Sequence, residues 1–433
     1  SALPAEADGA IRVLVSIADV DALVAHGSPL DREAELRATS VYLAGHVVPM
    51  FPEALSGGAA SLLPGCDRPT LTAELRIGPE GEITSVDVYP SVICSHARLS
   101  YESVSQFLLT MDPGDIPLEV TPTLRRLRTA AARLGAQRAA RGGVEMAREE
   151  AYISFDPATR QPTDLEPLDY TMSHCMVERL MVAANEAMAR WLVERGLPGM
   201  FRVHDQPDSE QVEMLNHSAR NFGIDAALGP QLSPRGLAAF EAQYLDTPVA
   251  PALRTVLGRI LGPARYTPVP GLHFGLAAPL YLHFTSPIRR YADLAVHRIV
   301  KRYLGGDRSQ ASDSPSLQAL AHHLNEAAWR ASKAENERYR MLTAQIFAQR
   351  IGQRFLANVI MIKPFGLVLQ MTGTGSTGTI ASDLLPDGPY EYQPDVQAWV
   401  SEHQSFAVGD SLEVEIISVN EELGRIDLAL AED

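Results

Sequence analysis

The sequence predicts an α+β fold followed by a small closed β-barrel. Three observations carry this: apolar strand-like runs gather before Cys94, helical periodicity fills the chain from Val104 to Ile351, and short alternating runs return after Phe355. Strands first and helices later separate this pattern from alternating βαβ units. The opening run, Ile11 to Val20, is apolar enough for a buried strand, and strands are expected again at Leu71–Gly78 and Ile83–Ile93. Helical spacing then predicts helices at Val104–Met111, Leu124–Ala139, Tyr170–Arg195, Asp208–Phe222, Pro234–Tyr244 and Pro251–Leu261. Leu304–Ser316 reads as a surface loop from its Gly, Ser, Asp and Pro content, and Leu317–Ile351 as a long polar helix rich in Ala, Glu, Arg and Gln. Beyond Phe355 several short strands, with an NEELG hairpin turn at Asn420–Gly424, are expected to close into a barrel. The expected domains are 1–350 and 351–433.

Length and charge limit the function. A chain of 433 residues is long enough for two or three cores. A formal charge of −16 repels polyphosphate at long range, so any contact with nucleic acid must be local. No uninterrupted apolar run is long enough for a bilayer, and no signal-peptide or lipidation pattern is present, which points to a cytoplasmic protein without a membrane partner. No protein partner can be inferred. Cys66, Cys94 and Cys175 lack zinc-site spacing and are expected to be reduced, buried small residues. The chain starts without methionine and enters a buried strand almost at once, as a fragment would. Of two basic stretches, Arg125–Arg141 reads as a solvated helix face. The other, Arg289–Arg302, reads as functional.

That second stretch belongs to the most informative block, YLHFTSPIRRYADLAVHR, from Tyr281 to Arg298. Ser286 suits an N-cap, Pro287 the first helical position, and Ile288, Tyr291, Ala295 and Ile299 recur at helical spacing. Arg289 and Arg290 would then stand in the first turn, where the macrodipole disfavours cations by up to about 1 kcal/mol. A phosphate bound by paired guanidinium forks would offset that cost. The alternative is pairing with nearby acids. Asp293 and His297, one turn apart, are placed to orient the arginines, and a general-base role for His297 is a weaker reading.

The same block resembles the signature of the ribonuclease II / ribonuclease R (RNB) family of exoribonucleases. Four further blocks resemble the family in family order: Gly27–Ser56, Ser95–Val104, Phe201–Asp208 and His273–Tyr281. The resemblance implies a hydrolytic 3′-to-5′ exoribonuclease that degrades single-stranded RNA to nucleoside monophosphates, dependent on Mg²⁺ with Mn²⁺ as a substitute. Such hydrolysis suits a carboxylate-bound metal pair. The family's aspartate-rich DxDDA-like run would lie upstream of Ser1, leaving Asp19 as the nearest family-like carboxylate, either at the metal site or bracing the strand end. Tyr42 would stack on a base near the 3′ end, where such contacts contribute roughly 1–3 kcal/mol. The partner aromatic expected near Phe201–Asp208 is replaced there by Gln206 and Pro207. Tyr101 would add a contact, Arg289 would hold the scissile phosphate, Arg290 the RNA backbone, and Glu335, or Glu337, would sit near the site entrance. The tail resembles an OB-fold, with Lys363 and Phe365 as RNA contacts and Phe355 as either a contact or barrel core. The rival reading is a non-catalytic RNA-binding protein that keeps the RNB fold without its acidic centre.

Overall fold

The structure, a computed structural model, describes residues 1–143, 151–167, 170–307, 314–386, 388–393 and 398–431. The middle of the expected 304–316 loop, 308–313, and Asp387 lie outside the described residues. The first layer is an antiparallel sheet in the order β1 (Ile11–Ala18), β4 (Asp67–Ile77), β5 (Ile83–Cys94). Between β1 and β4 come helix α1 (Pro29–Arg37) and a hairpin of β2 (Val41–Leu43) and β3 (His46–Val48). The alternation of Val13, Val15, Leu71, Ala73, Leu75 and Ile77 turns one face of the sheet inward. Helices α2 (Tyr101–Thr110), α3 (Thr121–Ala140) and α4 (Met172–Glu194) cover that face. Between α3 and α4 runs a hairpin, β6 (Ala151–Phe155) and β7 (Pro162–Pro167).

Next come β8 (Phe201–Val203), α5 (Ser209–Asn221), α6 (Pro234–Tyr244), α7 (Ala250–Leu261), β9 (Arg265–Thr267), α8 (Tyr291–Leu304) and the long α9 (Ser314–Ala348). The barrel is closed by β10 (Arg354–Lys363), β11 (Gly366–Met371), β12 (Thr377–Ala381), β16 (Ser411–Asn420) and β17 (Arg425–Leu430), in the order β10-β11-β12-β17-β16. A separate small sheet, β13 (Glu391–Gln393), β14 (Ala398–Val400) and β15 (Ser405–Ala407), is inserted before β16.

Two apolar cores result. One joins the β1-β4-β5 sheet to α2, α3, α4, α8 and the start of α9, where Ala321, Leu324 and Ala327 are buried. The other joins α5, α6 and α7 to the barrel and to Leu342, Ile346 and Phe347 at the end of α9. Helix α9 therefore spans both, and its middle, with Arg330, Lys333, Asn336 and Glu337 exposed, crosses the gap between them.

Three readings need correction. The basic face of α3 is not simply solvated: Arg138 is 5% exposed and pairs with Glu178, and Arg141 pairs with Glu186 at 2.6 Å. The cysteines were expected to be buried, but Cys66 and Cys175 are only partly buried and Cys94 is exposed. The helix expected from Ser286 begins only at Tyr291, for a reason given below. Among the described residues no helix is long and apolar enough to cross a membrane.

Candidate functional site

Pro287–Arg289 forms a single turn, with the amides of Arg289 and Arg290 donating to the Ser286 carbonyl at 3.2 and 3.0 Å. The chain then leaves helical geometry: Arg290 is extended (φ −137°, ψ 123°) and caps α8. The cause is tertiary pairing. The Ser40 amide donates to the Arg289 carbonyl (2.9 Å), the Tyr291 amide to Ala38 (2.9 Å), and Thr39 bridges to Arg290. Local capping signals gave way to a backbone ladder with the segment entering β2.

This pairing separates the two arginines. Arg290 forms a fork with Asp293 (2.7 and 2.8 Å), which is fully buried and also accepts the Ser286 amide at 2.7 Å. Burial opposes the charge on each, yet the pairing outweighs it, leaving Arg290 above and Asp293 below its ordinary pKa. Arg290 is thus a brace for the turn, with its guanidinium turned to Asp293. Arg289 is exposed, and its guanidinium has no ion-pair or hydrogen-bond partner among the described residues. The first-turn charge of α8 is Asp293, so the dipole argument for two arginines no longer applies; the free fork of Arg289 remains.

The ladder that anchors Arg289 also fixes Tyr42, two residues beyond Ser40. Tyr42 is 48% exposed on β2, and its amide donates to Glu335 Oε1 at 2.7 Å. Arg289, Tyr42 and Glu335, from three distant parts of the sequence, therefore converge where α9 crosses between the cores. Phe201 is 1% exposed, so no aromatic from the Phe201–Asp208 segment faces Tyr42.

Tyr101 opens α2, half-exposed, with one ring face stacked on His174 at 3.8 Å; His174 stacks in turn on Tyr170. In the barrel, Phe365 is exposed at the tip of the β10-β11 hairpin, next to Lys363, whose carbonyl accepts Trp399 Nε1 at 3.1 Å. Phe355 packs on Phe347 at 5.7 Å and belongs to the core.

Of the two places expected for Asp19, the metal site or a brace at the strand end, its contacts match the brace. Asp19 is 6% exposed, caps the turn after β1 through the Ala22 amide (3.1 Å), and is bound by Lys301 at 2.8 Å. Lys301 also pairs with Asp21, and Arg298 with Asp21 and Asp31, so these carboxylates are neutralised by cations. Among the described residues no group of three His, Cys, Asp or Glu could hold a metal ion. His297 is fully buried, and its Nε2 donates to the Phe284 carbonyl at 2.8 Å, with burial pushing its pKa down. It is sealed from solvent, which removes the general-base reading.

One residue the motif reading passed over is Arg202 on β8, whose guanidinium lies 4.5 Å over the Tyr266 ring. Its only sequence signal was a cation between two apolar strand residues, Phe201 and Val203.

A family profile for the RNB domain matches residues 1–306. Ribonuclease R of Thermotoga maritima is 34% identical over 430 residues, covering 97% of this chain and 60% of its own length. Ribonuclease R of Escherichia coli is 31% identical, covering 98% of this chain and 53% of its own length. This chain thus spans little more than half of these relatives. Mycoplasma genitalium RNase R in complex with ribose-methylated single-stranded RNA superposes with a TM-score of 0.93 at 27% identity, over 99% of this chain and 68% of that one. Yeast Ssd1, described as a pseudonuclease, shares the fold, with a TM-score of 0.75 at 22% identity. With most of its length matched by that profile, the chain belongs to the RNB domain family.

Proposed function

We propose that this chain is the RNB catalytic region and barrel of an exoribonuclease that removes nucleotides from the 3′ end of single-stranded RNA. The observation that carries this reading is the Arg289 guanidinium, unpartnered among the described residues, on a backbone anchored to the segment that leads into the exposed Tyr42. Tyr42 stacks on a base near the 3′ end, a sequence-tolerant contact. Arg289 forks onto the scissile phosphodiester and stabilises charge developing on its non-bridging oxygens. In the reaction a water oxygen bonds to phosphorus and the P–O3′ bond breaks, leaving a nucleoside 5′-monophosphate and a new 3′-hydroxyl. Mg²⁺, or Mn²⁺ in its place, is the proposed cofactor; among the described residues no group of carboxylates assembles its site. Tyr101, Lys363 and Phe365 are proposed as further RNA contacts, 1–350 and 351–433 as the domains, and the cytoplasm as the location.

A second reading, a non-catalytic RNA-binding protein, is favoured by the neutralised state of Asp19. RNA labelled at its 5′ end and incubated with the protein from its native source decides between them. Metal-dependent shortening from the 3′ end, abolished by chelator, supports the nuclease. Binding without shortening supports the second reading, and internal first cuts overturn the first.

A further inference from the structure

Arg202 occupies the middle of three paired segments. On one side β8 pairs with β9, and the register sets Arg202 opposite Tyr266. On the other, the Arg202 amide donates to the Tyr281 carbonyl at 2.8 Å. Cross-strand placement accounts for the guanidinium lying on the Tyr266 ring, a geometry arginine favours. The platform is rigid. Tyr266 is 8% exposed, its hydroxyl bonds His283 Nδ1 at 2.9 Å, and its backbone is held at both ends by Asn325 of α9 at 2.7 and 2.9 Å.

Among the described residues no acid pairs with this cation. Its neighbours are Tyr266, Tyr281 and Arg290, with His273 and His283 nearby and neutral at ordinary pH. The acids within reach are taken: Asp205 pairs with Arg265 and Asp293 with Arg290. Other partly buried cations are compensated, Arg138, Arg141, Arg290, Arg298 and Lys301 by acids and Arg126, Arg133 and Arg68 by backbone carbonyls. Burial, together with the charge of Arg290, pushes Arg202 below its ordinary pKa. A half-buried, unpaired charge destabilises the free protein unless an anion arrives. The segment that pairs with Arg202 at Tyr281 runs on through His283 to the turn carrying Arg289, and Arg202 feels the charge of Arg290, the neighbour of Arg289 in that turn.

We propose that Arg202 is a phosphate-binding residue: stacked on Tyr266, it grips a backbone phosphodiester of single-stranded RNA adjacent to the one held by Arg289. The inference rests on the RNA reading of the Arg289 site. It also implies a trade-off, in which a charge that weakens the free fold strengthens the complex.

The test uses the full-length protein, labelled oligouridylate and chelator to block cleavage, with affinity measured across a range of KCl concentrations. Arg202→Met keeps an apolar stem on Tyr266 and removes the charge. It is expected to weaken binding about tenfold or more and to reduce the slope of log affinity against log salt by about 0.7, the loss of one phosphate contact on a single strand. Its thermal midpoint is expected to equal or exceed that of the wild type. Arg202→Lys should restore the slope while recovering only part of the affinity. Unchanged affinity and slope in Arg202→Met, with wild-type binding intact, would overturn the proposal and leave the RNA reading standing. Weaker binding with an unchanged slope and a lowered midpoint would make Arg202 structural. Failure of the wild type to bind the oligomer would remove the RNA reading itself, and this inference with it.

Discussion

Arg289 and Arg290 are adjacent in sequence yet differ in every physical respect that matters. One is exposed and unpartnered; the other is turned inward onto a fully buried aspartate. Sequence spacing placed both at a helix start and could not divide their roles, because the division comes from pairing with residues some 250 positions away. In the full-length protein, Arg289→Lys is expected to lower RNA turnover by roughly two orders of magnitude while changing RNA affinity much less, since it keeps the charge but loses the planar fork. Single-turnover degradation alongside equilibrium binding measures the split; wild-type turnover in Arg289→Ala would make the residue structural. His283 and His273 were invisible as titrating groups in the sequence. Burial first, then neighbouring cations and histidines, lowers both to about 3. The unfolded chain protonates such residues near 6.5, so between about 6.5 and 3 it binds more protons than the folded protein. Stability therefore falls on acidification through that window, by up to about 1.4 kcal/mol per pH unit for each histidine. His283→Gln should remove about one proton from the pH dependence of the urea midpoint, and an unchanged dependence would refute a neutral, buried His283.

Elements with strong periodicity were legible nearly to the residue. Pro234–Tyr244 agrees at both ends, and the strand expected at Ile83–Ile93 ends one residue later, at Cys94. What failed were elements whose limits are set by distant partners. Helix α8 starts five residues after Ser286 because the Arg289–Tyr291 backbone is bound by Ala38–Ser40. The hairpin β6-β7 and the β13-β14-β15 sheet went unseen, since strands of three to six residues carry too few alternations to register. The Arg290–Asp293 pair is what holds the turn before α8 in its unusual path. Asp293→Ala would leave a half-buried guanidinium without its acid and free the Ser286 amide, and is expected to destabilise the protein by about 3–5 kcal/mol. Urea denaturation would register this; a loss below about 1 kcal/mol would show that the turn is held by the Ala38–Ser40 ladder alone.

At the scale of the molecule, the sequence suggested a break near residue 350, and the barrel does begin at Arg354. The apolar cores do not follow that break. Leu253, Leu257 and Phe240 of the helical lobe share one cluster with Ile360, Ile362 and Phe406 of the barrel and its inserted sheet. A polar contact crosses the same seam, where the Arg259 guanidinium reaches Met361 Sδ at 3.3 Å. Close approach adds a steric signature, because a Cβ on Gly409 would lie 2.4 Å from Val249, so that joint admits only glycine without rearrangement. Periodicity reports which residues face inward but not which interior they share, which is why this joint was illegible. A barrel cut off at residue 351 would expose apolar surface that α7 now covers, at about 25 cal/mol per Å². The isolated 351–433 segment is therefore expected to unfold about 10 °C or more below the same barrel in the intact chain. Hydrogen exchange of the β10 and β11 amides, measured in both forms, reports the barrel's own opening free energy in each. Equal protection in the two would mean that the barrel's stability is self-contained and that the shared core contributes contact without energy.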